Sequence, residues 1–281
     1  MIKIVTDSTA YLLEEERLKY DISVISLGVH INNRILREVD IESETFYKEM
    51  AKSPDFPTSS QPTPSEMYDT FENIISQGHS IVAIFLSSEM SGTYGSAHST
   101  KEMILEKYPH ASITIIDSRT NCMQLGFITL EAAKAAAEGK TLDEIIAQAN
   151  HVIHHSRFLF TPDTLTYLKK GGRIGGAAAL LGTLLQIKPI LTVKDGQTSV
   201  FTKVRTKKKA IDALIQGFMD DLSHGELGDV IVHHINCNEE GLALAESLEA
   251  KIGRKVQVQS IGPVIGLHVG PGSIGIAYYM K

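Results

Sequence analysis

The sequence is short of cysteine and of long apolar runs, and each shortage excludes a class of protein. Cys122 and Cys237 are the only cysteines among 281 residues, so neither a disulfide framework nor a thiolate metal site is available. Residues 177–185 form the most apolar stretch, about half of the ~20 residues that a bilayer span requires. No basic leader with a cleavage site follows Met1, so we expect a cytoplasmic protein without a membrane span.

Basic residues are too few for a protein that neutralises a phosphate backbone. The chain has 27 lysines and arginines against 33 acidic residues, a formal net charge of −6, which argues against nucleic acid as a partner. Its hydrophobic content of 43% and charged content of 21% are those of a folded globular protein. At about 150 residues per domain, the length allows two domains.

The first half of the chain alternates short β-branched runs with helical patterns, which predicts an α/β fold with a mainly parallel sheet. A capping box with proline at the first helical position occupies residues 63–66 and predicts a helix through residue 75. Thr141 begins a second box. The predicted strands are residues 2–6, 22–27, 81–86 and 113–116.

The second half of the chain has a different pattern of predicted elements. An Asp-Gly pair at residues 195–196 lies between two apolar runs, a pattern that predicts a β-hairpin. Helices and further strands follow, which is typical of an α+β arrangement. We therefore predict an N-terminal α/β/α domain of residues 1–157 and a C-terminal α+β domain of residues 158–281, with the ligand between them.

Several short patterns match known functional motifs but lack the sequence context that their chemistry needs. The glycines of residues 270–275 match a dinucleotide fingerprint, but only six residues follow, too few for the helix that would hold the pyrophosphate. A tight turn is favoured instead. Neither Ser91 nor Ser273 has the flanking glycines of a nucleophile elbow. Three histidines within residues 151–155 have no adjoining carboxylate or cysteine, which favours a solvated helix end over a metal site. We expect no metal and no cofactor.

The only basic run follows a predicted strand and opens a predicted helix. It is either a solvated face or a docking patch for an acidic partner, because clustered positive charge steers association. Its members are Lys203, Arg205, Lys207, Lys208 and Lys209.

Two glycine pairs flank Arg173 in residues 171–176. Glycine allows unusual backbone conformations, which could orient the Arg173 guanidinium for a specific contact. Residues 177–185 follow and carry no polar face, so the pattern predicts a helix that is buried on all sides or lines an apolar cavity. In the second case the lining residues are Ala178, Ala179, Leu181 and Leu185.

Two loops carry small hydroxyl side chains beside glycine or proline, and both precede predicted helices. They are residues 59–64 and 87–93. Taken alone, such hydroxyls are typical of helix caps. The alternative is that they bind a ligand.

Together with the arginine loop, these loops resemble those of the DegV family, fatty-acid-binding proteins that serve a bacterial fatty acid kinase. The resemblance implies a two-domain DegV-like fold with a long-chain fatty acid held between the domains. It also implies a separate catalytic subunit that uses ATP to phosphorylate the carboxylate, so this chain would be a carrier and not an enzyme. The resemblance runs from end to end, over residues 4–8, 59–64, 86–93, 116–118, 168–174 and 265–275.

The resemblance also implies roles for single residues. The hydroxyl pair that holds the carboxylate falls on Ser59 and Ser91, and the groups that support phosphoryl transfer fall on Arg173 and His268. The family commonly has threonine in place of Ser59, so a neighbouring hydroxyl is an alternative there. Because it is the only basic cluster on an acidic chain, we expect the basic run to dock the kinase; transient contact with a membrane stays open.

The chemistry of these residues agrees with a carrier. A hydroxyl donates to a carboxylate without cancelling its charge, which leaves an oxygen nucleophilic enough to attack a γ-phosphate. The sequence has no Walker loop, kinase glycine loop or dinucleotide unit to hold ATP. Two alternatives stay open: an acyl hydrolase with Ser91 as nucleophile and His268 as base, and a sensor of another amphipathic carboxylic acid.

Overall fold

The structure, a computed structural model, describes residues 1–182 and 187–281. The strands are β1 (Ile2–Asp7), β2 (Ser23–Ile25), β3 (Gly28–Ile31), β4 (Arg34–Arg37), β5 (Thr58–Ser60), β6 (Ser80–Phe85), β7 (Ile113–Asp117), β8 (Ser156–Thr161), β9 (Lys188–Lys194), β10 (Gln197–Val204), β11 (Leu227–His234), β12 (Gln257–Ser260) and β13 (Ile274–Met280). The α-helices are α1 (Glu14–Lys19), α2 (Ser43–Met50), α3 (Pro64–Ser76), α4 (Thr93–Lys107), α5 (Cys122–Ala137), α6 (Leu142–His155), α7 (Thr166–Lys170), α8 (Lys207–Leu222), α9 (Asn238–Ile252) and α10 (Pro263–Val269). Short 3₁₀ helices lie at Ser8–Ala10, Glu38–Asp40 and Gly175–Leu180.

A four-stranded parallel sheet, in the order β2-β1-β6-β7, is the centre of the first half. Its strands are rich in β-branched residues and are covered on both faces, as parallel sheets require. Met67 and Phe71 of α3 pack on one face beside Val5, while Leu125 and Ile128 of α5 belong to the core on the other. The α/β/α arrangement and the parallel sheet are confirmed.

The two predicted capping boxes differ. At the start of α6, Thr141 and Glu144 cap each other's backbone amides, and the box is complete. At the start of α3, Thr63 accepts a hydrogen bond from the amide of Glu66, 3.2 Å away. The carboxylate of Glu66 instead accepts from the amide of Ser26 at 3.0 Å and from Arg37 at 2.8 Å. The Glu66 carboxylate therefore links α3 to residues 26–37, the segment that contains β3 and β4.

A three-stranded antiparallel sheet, in the order β4-β3-β5, was not predicted. Its first hairpin turns at Asn32 and Asn33, both of which have positive φ (49° and 58°). That conformation is the one a two-residue hairpin needs, and asparagine tolerates it. The sheet matters for the site because its edge strand β5 carries Ser59.

A six-stranded mixed sheet, in the order β10-β9-β8-β13-β11-β12, is the centre of the second half. The predicted hairpin is confirmed: β9 and β10 pair antiparallel around Asp195 and Gly196, whose φ angles are 52° and 81°. Helices α8 and α9 cover one face of this sheet. On the other face, Phe158 and Phe160 join the same apolar core as Leu125. The two halves therefore pack closely, while the division at residue 157 stays a prediction.

The prediction of a helix through residues 177–185, buried all round, is wrong for the part that the structure describes. The segment forms a 3₁₀ helix, Gly175–Leu180, in which Ala177 and Leu180 are buried. Small alanines suit an exposed surface as well as a core, so the pattern did not distinguish the two. The exposed residues are Ala178, Ala179 and Leu181, none of which lines the main cavity; Leu185 lies outside the described residues.

Candidate functional site

A cavity of about 300 Å³ lies between the two halves of the molecule. That volume is at the lower end of the range of small-molecule sites. Leu27 and Leu86 contribute from the first half, and Val193 from the hairpin of the second. Much of the wall is apolar: Leu27, Leu86, Phe158, Phe160, Leu168, Val193, Val264, Ile265 and Val269.

All four side chains that the resemblance assigns to the head group line this cavity. Ser59 comes from strand β5 and Ser91 from the loop before α4. Arg173 follows the short helix α7, and His268 lies in the last turn of α10. Four segments that are distant in sequence therefore converge on one apolar space.

Ser59 and His268 form a direct pair across 209 residues of sequence. The hydroxyl Oγ of Ser59 lies 2.8 Å from Nε2 of His268. Burial, and then the charge of Arg173, lower the pKa of His268 to about 4, so the imidazole is neutral at pH 7. The ring also packs on the backbone of Gly171, where a Cβ would lie 2.1 Å from Nδ1. Glycine at 171 therefore makes room for the histidine.

The surroundings of His268 favour one tautomer. Nδ1 is buried and has no hydrogen-bond partner among the described residues. A proton on Nε2 has an acceptor in Ser59, whereas a proton on Nδ1 would have none, and an unmade buried hydrogen bond is costly. With the proton on Nε2, the ring donates to Ser59, whose own hydroxyl proton is then left to donate to a ligand.

Ser91 is anchored differently, within its own loop. Its hydroxyl oxygen accepts from the amide of Thr93 at 3.3 Å and lies 2.9 Å from the Thr93 hydroxyl. Its amide donates to the carbonyl of Ser87 at 3.1 Å. Because the hydroxyl oxygen already accepts from the backbone, its proton can be donated into the cavity.

Arg173 is exposed at the cavity wall and is held by backbone carbonyls. Nε donates to the carbonyl of Met90 at 3.1 Å, and Nη1 donates to the carbonyl of Gly171 at 2.7 Å. No carboxylate among the described residues forms an ion pair with this guanidinium. Its positive charge is therefore available to an anion at the mouth of the cavity.

Helix α10 is positioned by a buried carboxyl that sequence reasoning missed. Glu38 accepts from the amide of Val264 at 2.8 Å and from the hydroxyls of Tyr11, at 3.0 Å, and Ser8. Burial raises the pKa of Glu38 to about 7, and that of the nearby Asp7 to about 6. Its partners lie in two other parts of the chain, residues 8–11 and the start of α10, so no local pattern could have indicated its role.

The remaining motifs lie away from the cavity. Nδ1 of His154 lies 2.6 Å from the carbonyl of Asn150 on the exposed end of α6. No group of residues suited to hold a metal ion occurs in the described ranges. Gly270 and Gly272 have positive φ in the turn between α10 and β13, which confirms a turn there.

The basic run is exposed along β10 and α8, and its Lys207 pairs with Glu240 at 2.6 Å. Within residues 1–182 and 187–281, no helix has the length and apolar character of a transmembrane segment.

Comparison with known proteins identifies the family of this chain. A family model described as the uncharacterised DegV family matches residues 1–281. The chain belongs to the DegV family. A DegV domain-containing protein of Clostridium acetobutylicum is 49% identical over 280 residues, which cover 100% of this chain and 98% of the relative. Protein DegV of Bacillus subtilis is 35% identical over 285 residues, with 100% and 99% of the two chains covered.

Solved structures of DegV proteins share the fold. A stearic-acid-binding protein from Eubacterium ventriosum superposes with a TM-score of 0.92 at 29% identity. The fatty-acid-binding DegV of Bacillus subtilis gives 0.89 at 34% identity, and a fatty-acid-binding DegV family protein from Thermus thermophilus gives 0.91 at 28%. Each match covers 100% of this chain and 99% of the other. The DegV fold is therefore established for this chain.

Proposed function

We propose that this protein binds a long-chain fatty acid in the cavity and presents its carboxylate to a separate ATP-dependent fatty acid kinase. The observation that carries this proposal is the cavity itself, in which the hydroxyls of Ser59 and Ser91 meet a largely apolar wall. An apolar pocket with a few convergent polar groups suits an amphipathic acid. The fatty-acid binding of structural relatives supports the same ligand class.

The polar groups are of a kind that suits presentation of the carboxylate. Ser59 and Ser91 can each donate one hydrogen bond, which orients the head group while its charge is retained. Arg173, exposed and without an ion-pair partner in the described chain, can meet the charge that builds on a transferring phosphoryl group. His268 is neutral and bonded to Ser59, so we assign it to holding the carboxylate. The resemblance had grouped it with Arg173.

Burial of the acyl chain supplies most of the affinity in this account. At about 0.8 kcal/mol per buried methylene, an acyl chain of about 16 to 18 carbons outweighs any head-group term. The apolar wall formed by residues such as Phe158 and Phe160 is therefore the main source of binding. The hydroxyls provide orientation more than strength.

The basic run is the proposed docking surface for the kinase. In the register of the hairpin, Thr198 lies opposite Val193 and both line the cavity. Lys203 lies opposite Pro189, on the same face of the sheet as Val193. At about 3.3 Å per residue, Lys203 is about 15 Å along the strand from Thr198. Lys203 thus lies on the cavity face, whereas Lys207, Lys208 and Lys209 open α8 on the other face, so a partner bound to the run would contact the β10 edge of the sheet.

The experiment that tests presentation reverses the charge of this surface. We expect Lys203→Glu with Lys208→Glu to slow acyl-phosphate formation by added kinase and ATP at least tenfold at low salt, with less effect at high salt. Bound fatty acid should be unchanged. Lys52→Glu with Lys251→Glu makes the same change in net charge at exposed sites elsewhere and serves as the control. Equal rates for the two double variants would show that the run is only a solvated face.

An acyl hydrolase is less well supported. That reading pairs Ser91 with His268, but Ser91 bonds to Thr93, and His268 bonds to Ser59. No third group orients the histidine, because its Nδ1 is without a partner among the described residues. A pKa of about 4 also makes the ring a weak base at pH 7.

We place the carrier in the cytoplasm, with transient membrane contact as a source of ligand.

A further inference from the structure

Three exposed residues frame the mouth of the cavity. Of the lining residues that the structure describes, Gln61, Gly92 and Arg173 are exposed, and the rest are buried or half-buried. A group that approaches the cavity from solvent therefore meets these three first. Ser59 and Ser91 are half-buried, so a carboxylate that they hold would lie just inside the mouth. Gln61 and Arg173 are the two polar side chains at this opening.

Gln61 lies against the loop that carries Ser91. The end of its side-chain amide packs so closely on Gly92 that a Cβ at that position would overlap it. Gly92 follows Ser91 in the chain and is the N-cap residue of α4. Gln61 itself directly follows strand β5, which carries Ser59. The glutamine therefore bridges the two segments that bring Ser59 and Ser91 into the cavity.

Arg173 contacts the same loop on the other side of Ser91. Its Nε donates to the carbonyl of Met90 at 3.1 Å, and Met90 precedes Ser91 as Gly92 follows it. The guanidinium and the Gln61 amide therefore contact the residues on either side of this serine. Two side chains that can donate hydrogen bonds, one charged and one neutral, thus flank the head-group serine at the opening.

In the proposed reaction, the phosphoryl group joins the carboxylate at this opening. A carboxylate oxygen forms a bond to the γ-phosphorus of ATP, the bond from that phosphorus to the β–γ bridging oxygen breaks, and ADP leaves with the electron pair. Negative charge is spread over the other three oxygens of the transferring group. Donors that are already in place where this charge builds lower the barrier.

We propose that Gln61 contacts the transferring phosphoryl group, its amide donating a hydrogen bond to one of the phosphoryl oxygens alongside Arg173. This inference rests on the proposed presentation of the carboxylate to a kinase and adds a residue to it. The side chain is exposed, so its amide can turn the nitrogen toward the opening. A neutral amide also suits the place because it leaves the charge of the attacking carboxylate intact.

The first test uses a ligand that resembles the product and needs no kinase. Dissociation constants are measured for stearic acid and for a hydrolysis-resistant stearoyl phosphonate, on delipidated wild-type protein and on Gln61→Ala. We expect the variant to bind stearic acid within about twofold of wild type and to bind the phosphonate at least about tenfold more weakly, since the lost hydrogen bond is to a charged group.

The second test separates donation from packing on Gly92. Gln61→Glu keeps the size of the side chain but has a carboxylate that cannot donate. The ratio of phosphonate to stearic affinity, and the rate of acyl-phosphate formation with added kinase and ATP, should therefore fall at least as far as in Gln61→Ala. Gln61→Lys keeps a donor and should recover part of both. The exposed Gln77→Ala, at the end of α3 and outside the cavity lining, is the control and should match wild type.

The outcomes distinguish this inference from the function on which it rests. Equal losses of stearic acid and phosphonate in Gln61→Ala would overturn it, because Gln61 would then hold the carboxylate. Unchanged phosphonate affinity in Gln61→Ala would overturn it as well, and so would wild-type behaviour of Gln61→Glu, since packing on Gly92 would then be its only role. All three results leave fatty-acid binding intact. A wild-type protein that binds neither ligand, or that forms no acyl phosphate with added kinase and ATP, would instead overturn the proposed function and this inference with it.

Discussion

Nε2 of His268 lies 2.8 Å from Oγ of Ser59, and this contact joins the edge strand of the small sheet to the last turn of α10. With the proton on Nε2, the ring donates and the serine accepts, which leaves the serine proton for whatever occupies the cavity. The carboxylate would therefore be held by a serine whose orientation depends on a neutral histidine.

The first prediction concerns the groups that hold the carboxylate. Hydrogen bonds to a charged group contribute about 1.5 to 3 kcal/mol, so Ser91→Ala and Ser59→Ala should each weaken fatty-acid binding roughly 10-fold to 150-fold. His268→Ala should resemble Ser59→Ala, and His268→Gln, which can still donate, should recover part of the loss. Equilibrium binding of a labelled fatty acid measures this. The exposed Ser247→Ala on α9 is the control, and normal binding by His268→Ala would refute the assignment.

The second prediction separates holding from transfer. Arg173 is bonded to backbone carbonyls at the cavity mouth, so Arg173→Ala should load with fatty acid almost normally. Acyl-phosphate formation with added kinase and ATP should fall about 100-fold, because the contact strengthens only as charge builds in the transition state. Arg173→Lys should be intermediate, since it keeps the charge and loses the planar fork. Loss of bound fatty acid from Arg173→Ala would show that the guanidinium holds the carboxylate.

The third prediction is a dependence of stability on pH that passes through Glu38. Its pKa is raised from 4.5 to about 7 in the folded protein, so the folded state binds the proton more tightly than the unfolded state. The stabilisation is complete below about pH 4.5 and is lost as the pH rises through about 7. Glu38→Gln mimics the protonated acid, so wild type should lose stability relative to the variant over this window, by on the order of 2 to 3 kcal/mol.

Other buried groups titrate in the same region, and the comparison removes the contribution of the histidines. Asp7 has the same sign as Glu38. His233 and His268, with pKa values lowered to about 4, have the opposite sign between about pH 6.5 and 4. The two histidines are present in both proteins and largely cancel in the difference, whereas Asp7, whose charge raises the pKa of Glu38, is measured together with it. Urea unfolding of wild type and Glu38→Gln at pH 5 and pH 8 gives the result, and a difference that does not change with pH would rule out the linkage.

The fourth prediction concerns the length of the acyl chain. A second void of about 10 Å³, lined by His233 and Ile261, shares Phe158, Phe160 and Val269 with the main cavity. Phe160→Ala should join the two spaces and shift the chain-length preference upward, at about 0.8 kcal/mol for each extra buried methylene. Its stability should fall by about 3 to 5 kcal/mol, so only the folded fraction is compared.

A matched surface variant tests the same point from the other side. Ala178→Leu adds bulk on the 3₁₀ helix, which the sequence had suggested as cavity lining but which the structure places at the surface. Its chain-length profile should equal that of wild type. A profile that shortens in Ala178→Leu and stays unchanged in Phe160→Ala would return the acyl chain to the 3₁₀ helix.

Local patterns in the sequence predicted the elements that depend on local chemistry. The Asp195 and Gly196 turn and the capping box at Thr141 both formed, because each is decided by a few neighbouring residues. The three-stranded sheet was missed, since strands of 3 or 4 residues such as Thr58–Ser60 are too short and polar to show a period. For residues 177–182, the part of the apolar segment that the structure describes, the prediction of burial all round was wrong because alanine fits a surface as readily as a core.

The site shows the same division. The loops that carry Ser59, Ser91 and Arg173 could be found from their glycine and hydroxyl content and from their family resemblance, and they do line one cavity. Which groups bond to one another could not be found. Val264, which donates to Glu38, lies 226 residues away in the chain, and Ser59, which pairs with His268, lies 209 residues away. Such pairings arise only from the packing of the two halves.

Native mass spectrometry of the freshly purified protein tests the central claim most directly. Under conditions that preserve non-covalent complexes, the account predicts a mass above that of the chain by one long-chain fatty acid, released on acidification and identifiable by its own mass. The double variant Ser59→Ala with Ser91→Ala should carry markedly less of it. A wild-type chain that arrives empty, and gains no mass when incubated with an excess of long-chain fatty acids, would contradict the account.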